Sequence, residues 1–208
     1  MEKTLEQISQ NFLSQVQLSA AQAVKPFILA TIGLPGSGRT TVAQMIAGKL
    51  PGAVLISSDS ARYLLKETGL PWGENVRQIL KMVAVDLLKK GYGVVFDGNA
   101  ADEDDRKNIA EIANQTGAKV FYVRINSNPE MAKERKRAQY ENPSWVSGFE
   151  RFRVNTTEKM LKNIDDRVEL HRKLNSADIP NLLGEMENNG SKEELDERVD
   201  RLVAKILL

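Results

Sequence analysis

The chain of 208 residues contains no cysteine and a single histidine, His171. These shortages exclude disulfides, thiol nucleophiles and any metal site built from cysteine or several histidines. Because charged residues surround His171 in a helical stretch, we expect it at an ordinary surface position. No apolar run approaches the ~18 residues of a membrane span, and the early acidic residues are unlike a secretory signal. We therefore expect a cytoplasmic protein that does not enter a membrane.

Neither sign of charge dominates, since 29 lysine and arginine residues face 28 aspartate and glutamate residues. A protein that binds long nucleic acid usually carries a clear basic surface. Here the basic excess is confined to residues 133–153. Such a stretch fits the end of a short strand or a small phosphorylated molecule equally well, and the sequence does not choose between them.

Strand-like and helix-like segments alternate along the chain. Short apolar runs predict strands at 27–32, 53–56, 94–96 and 119–125, and a weaker one beginning at 182. Amphipathic spacing and capping signals predict helices after residue 40, over 75–90, 102–117, 128–139 and 148–173, and after Ser191. The alternation predicts an α/β fold, a three-layer αβα sandwich with a mainly parallel central sheet.

Residues 1–25 precede this alternating region, and residues 26–208 are expected to form one domain. An apolar stripe that includes Ile8 and Phe12 predicts a helix over 2–24, which Pro26 would end. Two roles are open for this helical extension. It covers an edge of the sheet, which we favour, or it contacts a protein partner.

A glycine-rich loop joins the first strand to the next helix. Residues 33–40 fit the pattern G-x-x-x-x-G-K-[ST], except that Arg39 replaces the lysine. Loops of this kind hold nucleotide phosphates with backbone N–H groups and the positive end of the helix, and the hydroxyl of Thr40 is expected to ligate Mg²⁺. The alternative is a glycine-rich turn without a ligand. The predicted nucleotide-binding residues are Gly33, Pro35, Gly36, Ser37, Gly38, Arg39, Thr40 and Thr41.

The arginine at position 39 leaves two outcomes open. Its guanidinium keeps the positive charge of lysine, but it is bulkier, planar and forked. Arg39 either binds phosphate in a bidentate manner and supports transfer, or the protein binds nucleotide without efficient chemistry. The loop therefore predicts nucleotide binding more directly than turnover.

Acidic residues follow the second and third strands. Asp97 ends the third strand, where ligands of parallel sheets bind, and we predict that it assists Thr40 at Mg²⁺; the alternative is a helix N-cap. Asp59 and Arg62 lie three residues apart on one face of a helical turn. They are candidates for a general base and an anion ligand, or else form an ordinary N-cap with an ion pair.

A basic helix follows the fourth strand and contains Lys133, Arg135, Lys136 and Arg137. Such a run is either a solvated face or part of a lid over the phosphates, which would span about residues 128–150 with a hinge or substrate rim at 142–145. Arg135 and Arg137 point about 200° apart on a helix. We therefore do not expect both to reach one phosphate.

The loop at 33–40, the segments 58–62 and 94–99, and the basic helix together resemble the small P-loop kinases related to polynucleotide 5′-hydroxyl kinase. Zeta-toxin-type kinases and antibiotic or sugar kinases are similar. The resemblance covers about residues 27–175. It implies ATP-dependent, Mg²⁺-dependent transfer of the γ-phosphoryl group to a hydroxyl of a nucleic-acid end or a small molecule.

The resemblance also implies roles for individual side chains. Asp59 would be the general base, Arg62 a ligand of a substrate phosphate, and Arg135 or Arg137 the arginine of the lid. The departure at Arg39 keeps an alternative function open, that of a nucleotide-binding regulatory or scaffold protein with weak or no turnover.

Overall fold

A computed structural model describes residues 4–18, 21–23, 25–66, 68–141 and 157–207. One parallel sheet contains five strands: β1 (Phe27–Gly33), β2 (Ala53–Ser57), β3 (Gly93–Asp97), β4 (Lys119–Asn126) and β5 (Leu182–Glu187). The spatial order is β2-β3-β1-β4-β5, and every neighbouring pair is parallel. The first strand of the sheet is therefore central, and the glycine-rich loop leaves from the middle of its carboxyl edge.

The helices connect these strands and cover the sheet. Their bounds are α1 (Leu5–Gln15), α2 (Arg39–Lys49), α3 (Ser58–Lys66), α4 (Glu74–Lys89), α5 (Glu103–Thr116), α6 (Pro129–Glu141), α7 (Thr157–Lys173) and α8 (Lys192–Leu207). Helices lie on both faces, so the predicted αβα sandwich is confirmed. None of the helices in the described part of the chain is long and apolar enough to cross a membrane.

Two hydrophobic cores flank the sheet because side chains alternate along each strand. On β1, Ile28, Ala30 and Ile32 pack toward α1, α3, α4 and α5. Phe27 and Leu29 pack toward α2 and α8 on the other face. All five are buried, and full burial of each large side chain stabilises the fold by about 1.5–3 kcal/mol. A central strand apolar on both faces is what the continuous run in the sequence predicts.

The N-terminal helix is shorter than predicted. It ends at Gln15, because Val16 adopts an extended conformation, and the segment before Pro26 makes long-range hydrogen bonds instead. Ala23 N donates to Gly91 O (2.9 Å) and Gln22 Nε2 donates to Lys90 O (2.8 Å). Helix α1 packs on α3 and α4, whereas we expected it to cover an edge of the sheet.

The remaining predicted elements agree with the structure to within a few residues where both can be compared. The fifth strand is longer than its apolar start suggested and reaches Glu187. The hinge predicted at 142–145 and the last part of the predicted lid lie outside the described residues. The first half of that lid is helix α6, which follows β4 directly.

Candidate functional site

Two residues from other parts of the chain lie so close to the glycine-rich loop that the contacted loop positions have no room for a Cβ atom. Gly36 and Gly38 have φ angles of +85° and +95°. A Cβ atom on Gly36 would lie 2.3 Å from the carbonyl oxygen of Ala132 in α6, and one on Gly38 would lie 2.1 Å from Nδ2 of Asn188. The positive φ angles suit glycine, and the missing Cβ atoms allow α6 and the segment after β5 to touch the loop.

Helix α2 begins at Arg39, directly after the loop, and its N-cap residue Gly38 provides no side-chain hydrogen bond. The first N–H groups of the helix therefore have no capping side chain and carry the positive end of its dipole. An anion held in the loop would supply the missing acceptor. This arrangement suits the phosphates of a nucleotide.

Asn188 links the loop to the end of β4 by hydrogen bonds. Its Nδ2 donates to Ser37 O (2.7 Å), and its backbone N donates to Asn126 O at the end of β4 (2.8 Å). Asn188 is buried. The side chain of Ser37 is also fully buried, and its Oγ has no partner within the part of the chain that is described.

Thr40 and Asp97 meet at the carboxyl edge of the sheet, 57 residues apart in sequence. Thr40 Oγ1 donates to Asp97 Oδ1 (3.2 Å). Burial raises the pKa of the Asp97 carboxyl, and the nearby Arg39 guanidinium opposes this shift. No cluster of three or more histidine, aspartate or glutamate residues that could hold a metal occurs among the described residues. One hydroxyl and one carboxylate, completed by phosphate oxygens, nevertheless fit Mg²⁺, which favours few protein ligands.

The guanidinium of Arg39 is turned toward the strand ends. Its Nη1 donates to Gly98 O, the carbonyl that follows Asp97, at 2.5 Å. Burial lowers the pKa of the guanidinium, and Asp97 and then Asp59 oppose this effect. Arginine retains its charge in proteins, so Arg39 adds a half-buried cation to the cleft. In this position it links the start of α2 to the end of β3.

Asp59 and Arg62 lie at the start of α3, beside the end of β3. Arg62 Nη1 donates to Asp59 Oδ1 (2.7 Å) and to Ser58 Oγ (3.2 Å). Both side chains are partly exposed. They line the same cleft of about 1080 Å³ as Pro35, Gly36, Gly38, Arg39, Thr40, Thr41 and Asp97. Gly33 and Ser37 belong to the loop but do not line the cleft.

Helix α6 contributes part of the opposite wall. Arg135, Lys136 and Gln139 line the cleft, whereas Arg137 is exposed and does not. Arg135 Nη1 and Gln139 Oε1 are buried without a hydrogen-bond partner in the described part of the chain. Burial lowers the pKa of the Lys136 ammonium group. The structure thus brings Arg135 to the predicted site and leaves Arg137 outside it.

His171 is buried, contrary to the expectation of a surface position. Its Nε2 lies 3.4 Å from the side-chain amide of Asn99. Oriented to suit its neighbours, that amide donates to Gly33 O (3.2 Å) and accepts from Arg167 Nη1 (3.0 Å). Burial, followed by the Arg39 charge, lowers the pKa of His171 from 6.5 to about 4. The imidazole is therefore neutral at pH 7 and connects α7 with the first residue of the loop.

Several functional candidates were not predicted from the sequence. Asn188, Asn99 and Arg167 contact the loop or its supports, and Lys136 lines the cleft without a role of its own in the motif. Lys136 follows Ala132, the residue that contacts Gly36, by four positions, but the sequence alone does not show which face of α6 meets the loop. Asn99 lies in the segment 94–99 that carries the resemblance, but the sequence assigned no individual role to it, to Asn188 or to Arg167.

Comparisons with known proteins agree with this architecture. The family described as an AAA domain matches residues 28–170. A UPF0200 protein of Aeropyrum pernix is 31% identical over 111 residues, which are 47% of this chain and 57% of that protein. The match therefore spans little more than half of that curated relative's length.

Two solved structures show the shared fold. A gluconokinase from Sinorhizobium meliloti 1021 is 14% identical with a TM-score of 0.56, covering 87% of this chain and 93% of that one. The APS kinase of Mycobacterium tuberculosis, solved with AMPPNP and APS, is 15% identical with a TM-score of 0.57, covering 88% and 99%. The predicted resemblance to P-loop kinases is thus confirmed as a likeness of fold. Since the family match extends from β1 to α7 and includes the whole glycine-rich loop, the chain belongs to the AAA domain family.

Proposed function

We propose that the protein is an ATP-dependent kinase that transfers the γ-phosphoryl group to a hydroxyl of a small molecule or of a nucleic-acid end. The observation that carries this proposal is the single cleft that joins the glycine-rich loop to Asp59. A nucleotide on the loop and a hydroxyl beside Asp59 would share one space. The kinases named above have the same fold, and the AMPPNP of the APS kinase structure is consistent with a nucleotide on the loop.

The reaction follows from these positions. The acceptor oxygen attacks the γ-phosphorus, the bond from that phosphorus to the β,γ-bridging oxygen breaks, and ADP leaves with the electron pair. Asp59 takes the proton of the acceptor hydroxyl. Mg²⁺, held by Thr40, Asp97 and the phosphates, would neutralise negative charge on the β- and γ-phosphates when bound.

Arg135 is the lid residue that fits the transferred group best. Its Nη1 is buried at the cleft without a partner among the described residues, and leaving such a group unsatisfied costs about 1–3 kcal/mol. A phosphate oxygen would satisfy it with a charge-assisted hydrogen bond. Arg137, exposed and outside the cleft, has no comparable support for the role that the resemblance implied.

The acceptor half of the cleft favours a substrate that carries an anionic group. Arg62, Arg77 and Arg167 line it, and each is within 3.8 Å of a carboxylate: Asp59, Asp105 and Asp102 respectively. An incoming phosphate or carboxylate group can compete for these guanidinium groups in a bidentate manner. We therefore favour phosphorylated or carboxylated alcohols and strand ends over neutral alcohols.

The test uses purified protein with ATP, Mg²⁺ and a panel of 5′-hydroxyl oligonucleotides, sugar acids, sugar phosphates and neutral alcohols. A phosphorylated product from an anionic acceptor is expected. If ATP binds but no acceptor is phosphorylated, the kinase proposal fails and the alternative of a nucleotide-binding protein without turnover gains support.

The role of Asp59 is tested with Asp59→Asn, which keeps the shape and an oxygen acceptor for Arg62. Loss of the base is expected to lower kcat by about 10²–10⁴-fold, with the KM for ATP changed only a few-fold. Asp166→Asn, an exposed position on α7, is the matched control and should retain wild-type kcat. Equal activity of the two variants would remove Asp59 from the mechanism.

A further inference from the structure

We infer that Lys136 of α6 binds the β- and γ-phosphates in place of the lysine that the glycine-rich loop lacks. The inference rests on the proposed binding of ATP and adds a residue to it. The lysine ammonium group expected in the loop would then come from helix α6. Arg39, which stands at the lysine position of the loop, instead bonds the end of β3.

Helix α6 packs on the loop through Ala132, four residues before Lys136. The carbonyl oxygen of Ala132 occupies the space where a Cβ on Gly36 would be, and Ala132 is completely buried. Lys136 follows Ala132 by four residues, so both lie on the same face of α6. Its side chain lines the cleft together with Arg39, Thr40 and Asp97.

The charged groups that act on the Lys136 ammonium group all line the same cleft as Lys136. The charges that act on its ammonium group are Asp59, Arg39 and Asp97, in that order. These same residues form the proposed acceptor base, the loop cation and the metal ligand. Burial disfavours the charged ammonium group there, and the phosphates of ATP would compensate this cost with charge-assisted hydrogen bonds.

Arg39 is engaged in a different task. Its Nη1 donates to Gly98 O at 2.5 Å, and the half-buried side chain joins the start of α2 to the end of β3. A phosphate contact that turned Nη1 away from Gly98 O would break this bond and leave that carbonyl with the Thr31 Oγ1 donor at 3.2 Å. The Arg39 guanidinium is thus tied to the end of β3, whereas the Lys136 side chain lines the cleft in which the phosphates would lie.

The experiment measures ATP·Mg²⁺ affinity by calorimetry in the full chain. Lys136→Met keeps the aliphatic stem and the helix propensity but removes the charge, and we expect its Kd to rise about 10- to 100-fold, the range for losing a hydrogen bond to a charged group. The matched control is Lys133→Met on the same helix, whose ammonium group faces Asp165 (2.6 Å) and Glu130 (3.0 Å) and does not line the cleft. Its Kd should stay within about twofold of the wild-type value. Lys136→Gln and circular dichroism check that the effect does not come from misfolding.

A second change distinguishes phosphate binding from a general structural role. Adding Arg39→Lys to Lys136→Met restores an ammonium group in the loop but removes the guanidinium bond to Gly98 O, so ATP affinity should rise above that of Lys136→Met without reaching the wild-type value. Equal Kd values for Lys136→Met and Lys133→Met, or no rescue by Arg39→Lys, would overturn the inference while leaving the kinase proposal intact. Wild-type protein that binds no ATP·Mg²⁺ at millimolar concentration would overturn both.

Discussion

The contact between the glycine-rich loop and α6 makes Gly36→Ala a quantitative test of the fold around the site. Alanine at a φ of +85° costs about 1–2 kcal/mol from backbone strain. Its Cβ would also lie 2.3 Å from Ala132 O, well inside the 3.0 Å below which Cβ contacts do not occur. Forcing α6 away adds about 1–3 kcal/mol, as overpacking does elsewhere. The free energy of unfolding should therefore fall by about 2–5 kcal/mol.

Two other glycines separate the contributions in urea denaturation measurements. Gly69 has a φ of +72° and nothing within 4 Å of the point that a Cβ would occupy, so Gly69→Ala should lose only the backbone part, about 1–2 kcal/mol. Gly48 lies inside α2, also with open space, and Gly48→Ala should stabilise the protein by about 0.5–1 kcal/mol. If Gly36→Ala and Gly69→Ala lower the free energy of unfolding by the same amount, α6 does not pack on the loop as described. The placement of Arg135 and Lys136 at the cleft would then be wrong.

Two further predictions concern supports of the loop. Because the folded-state pKa of His171 is about 4, below its ordinary 6.5, its contribution to stability is complete above pH 6.5 and is lost as the pH falls from 6.5 to 4, by up to about 3 kcal/mol. Urea denaturation of the wild type and His171→Gln, which has no histidine left, should diverge over that range, and parallel curves would contradict the buried neutral imidazole. Asn188→Ala removes the donor to Ser37 O and should lower the free energy of unfolding by about 1–3 kcal/mol while weakening ATP binding; unchanged stability and affinity would show that this bond does not hold the loop.

The parts of the molecule that could be predicted from the sequence depend on local patterns or on a general rule of parallel sheets. The run from Phe27 to Ile32 is apolar on both faces, so a central strand followed from it. Thr40 and Asp97 were expected together because the carboxyl ends of neighbouring parallel strands meet at one edge. The chemistry of the loop followed from its glycines and its position between a strand and a helix.

The features that were missed depend on partners far away in sequence. His171 is buried because α7 returns to Asn99, 72 residues earlier, and the charged residues beside it gave no indication of this. Helix α1 ends at Gln15, short of the prediction, and Gln22 and Ala23 bond instead to the residues that follow α4, 68 residues later. The sequence of the basic helix does not show that Lys136 rather than Arg137 lines the cleft. Only the packing of α6 on the loop determines which face of the helix meets the cleft.

The contacts that hold the loop on both sides have a consequence for the kinetics of nucleotide binding. Ala132 of α6 touches Gly36 on one side, and Asn188 holds Ser37 and Gly38 on the other. A loop ordered in this way has already lost its conformational freedom before any ligand arrives, so a nucleotide need not supply the free energy of ordering it. Association should then occur in a single fast phase without a slow rearrangement of the loop, and affinity differences among loop variants should appear mainly in the dissociation rate.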